Sequence, residues 1–266
     1  MTRIKAKIEV DIADHHVVFE TQSEWIAAYI RDKFAELAVE ASGAEADLYI
    51  AVEDGYGEAF VDYDVAAERD GERVIYTRTD YRIELDSSYR TAQVGVYDDF
   101  ALKHALVNVF SAFLTHREWG LLVHSSCMLQ SGRSYLFAGH SGAGKSTVAQ
   151  LSYPRPILSD EATLLRITEE GVQVYTSPFR SDTRMPELKG PYPLAAVQFL
   201  RQSPENRRVP VSKVEGVVGL MNRVFYWAHD PEETRKVLRL CRKLIEHVPA
   251  YDLHFQKNDT FWEEIS

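Results

Sequence analysis

Gly139-His140-Ser141-Gly142-Ala143-Gly144-Lys145-Ser146 fits the pattern G-x-x-x-x-G-K-[ST] at every fixed position. A run of this kind demands one local structure: a strand that ends, a tight loop, and a helix that begins. Both flanks agree with it. Ser134-Tyr135-Leu136-Phe137-Ala138 reads as an apolar strand, and Thr147-Val148-Ala149-Gln150 suits a helix. Glycines let the backbone turn sharply and bring successive N–H groups up to phosphate oxygens. The helix start adds unpaired donors and a favourable dipole. Lys145 supplies a point charge for β- and γ-phosphates, and the Ser146 hydroxyl is a ligand for Mg²⁺. The expected nucleotide-contacting set is Gly139, Ser141, Gly142, Ala143, Gly144, Lys145, Ser146 and Thr147, and the expected cofactors are ATP and Mg²⁺. The plain alternative, a chance glycine-rich turn, leaves the Lys-Ser pair and both flanks unexplained.

A second element stands close behind. Ile157-Leu158-Ser159-Asp160-Glu161 ends an apolar strand in two carboxylates, and an acid there is the usual second anchor of Mg²⁺ beside a phosphate loop. Only fifteen positions separate Lys145 from Asp160. One short helix and the turn Tyr153-Pro154-Arg155-Pro156 must therefore return the chain directly to the loop. That leaves no room for the sensor region of ATPases that drive motion or transport. Ser146, Asp160 and Glu161 are the expected metal ligands, against the simpler reading of a solvated strand end. Transfer to a serine hydroxyl needs a carboxylate to take its proton. Either Asp160 is that base and Glu161 lies nearer the metal, or the reverse. Arg180 and Arg184, after the Ser177-Pro178 turn, are candidates to offset developing charge; the alternative is a pair of ordinary surface arginines.

The rest of the chain sets bounds. Its 266 residues are enough for two small domains. The division is placed at 1–117 and 118–266, with the two parts expected to pack tightly because no Pro- or Ser-rich linker marks it. In the first part, Ile4, Ala6, Ile8, Val10 and Ile12 alternate with charged residues and predict a strand with one buried face. Thr21-Gln22-Ser23-Glu24 has capping-box spacing before a helix ending near Gly43. A strand follows at 48–52, and two or three more lie between Phe60 and Tyr97. A helix capped by Asp98 or Asp99 runs to Gly120. The acids of this part read as solvated faces, and His15-His16 as a polar turn rather than metal ligands. In the second part, a strand at 121–129 and a turn at 130–133 lead into the loop. Strands are expected at 163–167, 172–175, 195–200 and 251–255, and helices at 214–224 and 231–248. A net charge of −10 predicts a surface that repels nucleic acid and anionic membrane. The two cysteines, Cys127 and Cys241, form no CxxC pair, and the charged start of the chain is no signal peptide. No apolar run reaches the length of a membrane span. These features predict a cytoplasmic location and leave a homo-oligomer open.

His124 on a strand, the hairpin into the phosphate loop, the short helix and the acidic pair resemble the HPr kinase/phosphorylase-like family. The resemblance covers roughly residues 118–262. It is close over 121–161 and looser beyond, where it takes in Thr176-Ser177-Pro178-Phe179-Arg180 and Phe199-Leu200-Arg201-Gln202. It implies an α/β phosphate-loop kinase core related to ATP-dependent phosphoenolpyruvate carboxykinase, within a chain that is α+β overall. The N-terminal part does not resemble that of bacterial HPr kinases. Within the family, size and layout are most similar to the tailoring kinases encoded with lasso peptides. Those transfer phosphate from ATP to the C-terminal serine of a precursor peptide, so the implied partner is a serine-bearing peptide. Asp160 matches the family's catalytic base, Glu161 stands where a second Asp is common, and His124 matches a strand histidine near the transferred phosphate. A hydrogen-bonded strand histidine with no catalytic role is the plain alternative for His124. The implied catalytic set is Asp160, His124, Lys145 and Arg180. His140 departs from the Asp usual in HPr kinases, and the C-terminal signature tied to phosphorylase activity is not recognisable. Three readings remain: a peptide-serine kinase, a kinase of a small hydroxylated molecule such as free serine, and a nucleotide-binding regulator without activity.

Overall fold

The alternation that begins the chain becomes a hairpin in the computed structural model, which describes residues 6–40, 43–181, 188 and 190–265. Ile4 and Arg184 lie outside the described residues. The architecture is mixed α+β and divides into two units, Met1–His116 with Tyr226–Thr234, and Arg117–Phe225 with Arg235–Ser266.

The first unit contains β1 (Ala6–Ile12), β2 (His15–Thr21), α1 (Glu24–Lys33), β3 (Leu48–Asp54), β4 (Ala66–Asp70), β5 (Arg73–Arg78), β6 (Tyr81–Leu85), β7 (Thr91–Val96) and α2 (Asp99–His116). Its seven strands form one sheet in the order β1-β2-β3-β7-β6-β5-β4. β2, β3 and β7 run parallel and the other pairs antiparallel. α1 packs on β1 and β2, and α2 on β6 and β7.

Several expectations are corrected here. The capping box at Thr21–Glu24 does not form. Ser23, not Thr21, is the N-cap: Thr21 ends β2 and its hydroxyl accepts the Ser23 N–H at 3.1 Å, while the Ser23 hydroxyl donates to Asp54 at 2.6 Å. α1 stops at Lys33, short of Gly43, and a 3-10 turn follows at Ala35–Leu37. Four strands, not two or three, occupy 60–97, since a further turn separates β5 from β6. α2 ends at His116, and Gly120 starts a strand instead of closing a helix. The acids are not all solvated. Asp80 is fully buried and takes a two-point contact from Arg78 at 2.6 and 2.8 Å, the pairing that makes a buried carboxylate tolerable. Glu9 is buried too, beside Lys7 at 2.6 Å. His15 and His16 lie on β2, not in a turn.

The second unit contains β8 (Gly120–Gln130), β9 (Arg133–Ala138), α3 (Lys145–Leu151), β10 (Ile157–Ser159), β11 (Ala162–Ile167), β12 (Val172–Tyr175), β13 (Tyr192–Gln202), β14 (Arg207–Pro210), α4 (Lys213–Met221), the second unit's share of α5 (Pro231–His247), and β15 (Ala250–Phe255). β8, β11, β12, β13 and β9 close on one another as a small barrel. β10 extends it beside β8, and β15 with β14 extends it beside β13. β9, β13 and β15 run parallel. β14 was not foreseen, and the capping box of this unit sits at Ser212–Glu215, starting α4 one residue early. Below α3, a core of Met128, Phe137, Val148, Leu200, Leu253, Phe255, Phe261 and Trp262 is nearly closed to water. Burying each of the larger side chains stabilises the unit by about 1.5–3 kcal/mol. Among the described residues, no helix is long and apolar enough to cross a membrane.

Candidate functional site

β9 fixes where the glycine-rich run begins. It lies between β8 and β13, and its last residue, Ala138, is paired with Ser125 on one side and Phe199 on the other. The chain then turns. Ala143 donates its N–H to the His140 carbonyl at 3.1 Å, and Val148 donates to Gly144 at 2.8 Å as α3 starts. Three loop positions favour glycine: a Cβ on Gly139 would stand 2.5 Å from the Ala143 Cβ. Gly144 has φ +105°, and a Cβ on it would stand 2.6 Å from the Phe255 ring. Gly142 has φ +77° with open space around it, so only its backbone conformation excludes other residues. Gly139 and Ala143 pack beneath the loop; Ser141, Gly142, Gly144, Lys145, Ser146 and Thr147 face a cavity of about 410 Å³. Gln202 reaches across the loop and donates to the Gly142 carbonyl at 2.8 Å.

Lys145 is buried, and its ammonium donates to the carbonyls of Gly139 and His140 at 3.0 and 3.1 Å. Burial pushes its pKa down to about 8; Glu161 opposes the fall and Arg223 adds to it. A desolvated ammonium with two neutral acceptors is short of negative charge.

β10 delivers the acids to the same cavity. Asp160 is buried and accepts the Ser181 backbone N–H at 3.1 Å. Glu161 accepts the Ser181 hydroxyl in a short contact. His124, on β8 opposite Ala162, also lines the cavity; its N–H donates to the Arg223 carbonyl at 2.7 Å and its ring lies 5.5 Å from Phe225. His140 is exposed, bonds the Ser141 carbonyl through its ring, and is not among the cavity residues.

Arg180 lies near the acids, its charge acting on Asp160, but its hydrogen bonds run to the backbone around β10. Its guanidinium is buried and donates to the carbonyls of Leu158 and Ile157, each at 2.8 Å, and to Ser177 at 3.4 Å. It clamps β10 and does not line the cavity. The second cation there is Lys257.

Ser181, Gln202 and Lys257 were not anticipated as site residues. Gln202 ends β13, and Lys257 follows the parallel β15, just as the loop follows β9. The carboxyl ends of neighbouring parallel strands are where ligands lie in open α/β sheets. That signal depends on strand order, which the sequence does not display.

The residues present fit ATP and Mg²⁺. Buried Lys145, bonded to two carbonyls, stands on the cavity wall as a cation for phosphate, and Ser146, Asp160 and Glu161 offer hard oxygen. Among the described residues no three or more His, Cys, Asp or Glu side chains could hold a metal by themselves.

A comparison with curated proteins gives no match. A family model described as SynChlorMet cassette protein ScmC matches residues 99–266, from the first residue of α2 onward and thus more than half of the chain. The chain therefore belongs to the ScmC family of SynChlorMet cassette proteins.

Proposed function

We propose that this protein is an ATP-dependent kinase that phosphorylates a serine hydroxyl of a peptide, with the second unit as a phosphate-loop core of the HPr kinase type. The reading rests on one observation: the glycine cradle with Lys145 and Ser146 shares a single cavity with Asp160 and Glu161. The loop N–H groups and Lys145 hold the β- and γ-phosphates. Ser146 and Glu161 hold Mg²⁺, whose charge neutralises the transferring group. Glu161 is assigned to the metal because its charge acts on Lys145. Asp160 then takes the proton as the serine oxygen bonds to the γ-phosphorus and the bond to the β,γ-bridging oxygen breaks, leaving ADP. Lys257 on the cavity wall, together with Arg180, whose charge acts on Asp160, offsets developing charge. His124 borders the reacting groups and positions the acceptor.

The resemblance to lasso-peptide tailoring kinases makes the C-terminal serine of such a precursor the acceptor to try first. Cys127 and Cys241 are both free and buried, which suits a reducing cytoplasm. The deciding experiment incubates the protein with ATP, Mg²⁺ and either a serine-terminated precursor peptide or free serine, and weighs the products. Phosphopeptide formed by the native protein and not by Lys145→Ala is expected. Phosphoserine alone moves the proposal to a small-molecule kinase. Nucleotide binding without transfer to either acceptor leaves a regulator.

A further inference from the structure

Helix α4 turns its glycines inward and its valines outward. A Cβ on Gly216 would stand 3.0 Å from Ile245 of α5, and one on Gly219 2.6 Å from Phe199 of β13. Val214 is 74% exposed and Val218 54%. β-branched residues are poorer helix formers than the long polar side chains that serve a solvated face, and they leave apolar surface in water. Facing them, Leu238 of α5 is 48% exposed. Between the helices runs a groove of about 650 Å³ floored by Val214, Val217, Val218, Leu238 and Ile245. Its charged rim is Lys213, Arg239, Arg242 and Glu246. Val214 and Val218 make an i, i+4 ridge, and Leu238, Arg242 and Ile245 make an i, i+4, i+7 ridge. Two such ridges beside a trough suit the ridge of a third helix.

We propose that this groove docks an acidic amphipathic helix of another polypeptide. Charge selects the occupant. The rim carries three cations and one anion in a chain of net charge −10. Its ion pairs, Arg242–Glu246 and a two-point Arg239–Glu118 contact, have side chains 42–75% exposed, where such pairs contribute modestly and are open to exchange. A second copy laid groove to groove would set Lys213, Arg239 and Arg242 against the same three cations, which opposes self-association here. A helix with leucines along one stripe and glutamates on both flanks satisfies floor and rim together. The chain leaving α4 passes through Arg223, whose carbonyl accepts the His124 N–H in the nucleotide cavity. A docked helix therefore lies on the element that leads into that cavity. The proposal does not depend on the kinase reading.

The test is fluorescence anisotropy on the full chain, with a labelled synthetic helix of about 18 residues carrying leucines on one stripe and glutamates on the flanks. Saturable binding is expected, roughly tenfold or more tighter than for the same peptide with lysines replacing the glutamates, and weaker at high salt. Val218→Asp should lower the affinity by about tenfold while circular dichroism shows an intact fold. Val214→Asp, at the more exposed position, replaces it if Val218→Asp unfolds. Equal binding of both peptides, or unchanged binding by a folded variant, overturns the proposal. So does a dimer in sedimentation that Val218→Asp dissociates, which gives the groove to a second copy. Anionic-vesicle binding that the same substitution abolishes gives it to a membrane surface and likewise overturns the proposal.

Discussion

Lys145 titrates in a range where its state can be followed. Burial takes its ammonium down from 10.5 to about 8, with Glu161 opposing and Arg223 adding. In the proposed kinase the protonated form is the one that would hold phosphate. Below about pH 8 the free protein already carries this charge, so nucleotide affinity is at its full value. Above it, a proton must be taken up on binding, and affinity falls by up to about tenfold per pH unit until the bound form also titrates. Stability has the opposite sign: the desolvated ammonium destabilises the fold below about pH 8, and that cost is relieved as pH rises toward 10.5. Calorimetric titration of a non-hydrolysable ATP analogue between roughly pH 7 and 9.5 checks the first sign, and a flat affinity contradicts the assignment. Lys145→Arg, whose guanidinium does not titrate there, should remove the slope. The carboxylates separate by their variants. Asp160→Asn should keep nucleotide affinity within a few-fold and cut transfer by roughly 10²–10⁴. Glu161→Gln should weaken Mg²⁺-dependent binding together with the rate. If Asp160→Asn weakens binding and Glu161→Gln spares it, the two roles exchange.

At the scale of elements, the loop and the strand ends make distinct predictions. Gly144→Ala adds a Cβ at 2.6 Å from the Phe255 ring on a left-handed backbone, whereas Gly142→Ala meets only the backbone cost. Gly144→Ala should therefore lose about 1–3 kcal/mol of stability and most nucleotide binding, and Gly142→Ala less of both, by thermal melts and titration. Arg180→Met strips the guanidinium from three carbonyls around β10. It should destabilise by about 1–3 kcal/mol and leave nucleotide affinity largely intact. A folded Arg180→Met protein with full transfer would leave Arg180 a clamp on β10 alone. The loop residues were legible because glycine, lysine and serine at fixed spacing act on their own backbone. The spacing puts the cap at Thr21, two residues early, because it does not show that β2 runs on through Thr21. Arg180 reads as a charge-offsetting cation, while its bonds to the carbonyls of Leu158 and Ile157 stay hidden, because nothing along the chain shows that β10 passes beneath it. Strand existence was read from alternation, while the closure of β8, β11, β12, β13 and β9 depends on pairings the alternation does not encode.

For the whole molecule, ligand linkage gives a single readout. Saturating the loop at about one hundred times the dissociation constant stabilises the folded state by about 2.7 kcal/mol. ATP with Mg²⁺ should raise the melting temperature by a few degrees, and Lys145→Ala should not respond. An equal rise in both proteins would place nucleotide elsewhere. The contact between Gly144 and Phe255 also has a bearing on biosynthesis. The loop leaves the ribosome long before β15 and the 3-10 turn at Asp259–Glu264, whose Phe255, Phe261 and Trp262 form the floor under α3. A nascent chain that has not yet reached β15 therefore displays its glycine-rich run without the floor that Phe255, Phe261 and Trp262 provide. Ribosome-bound intermediates that stop short of the 3-10 turn at Asp259–Glu264 should be silent toward ATP, and those that include it should respond.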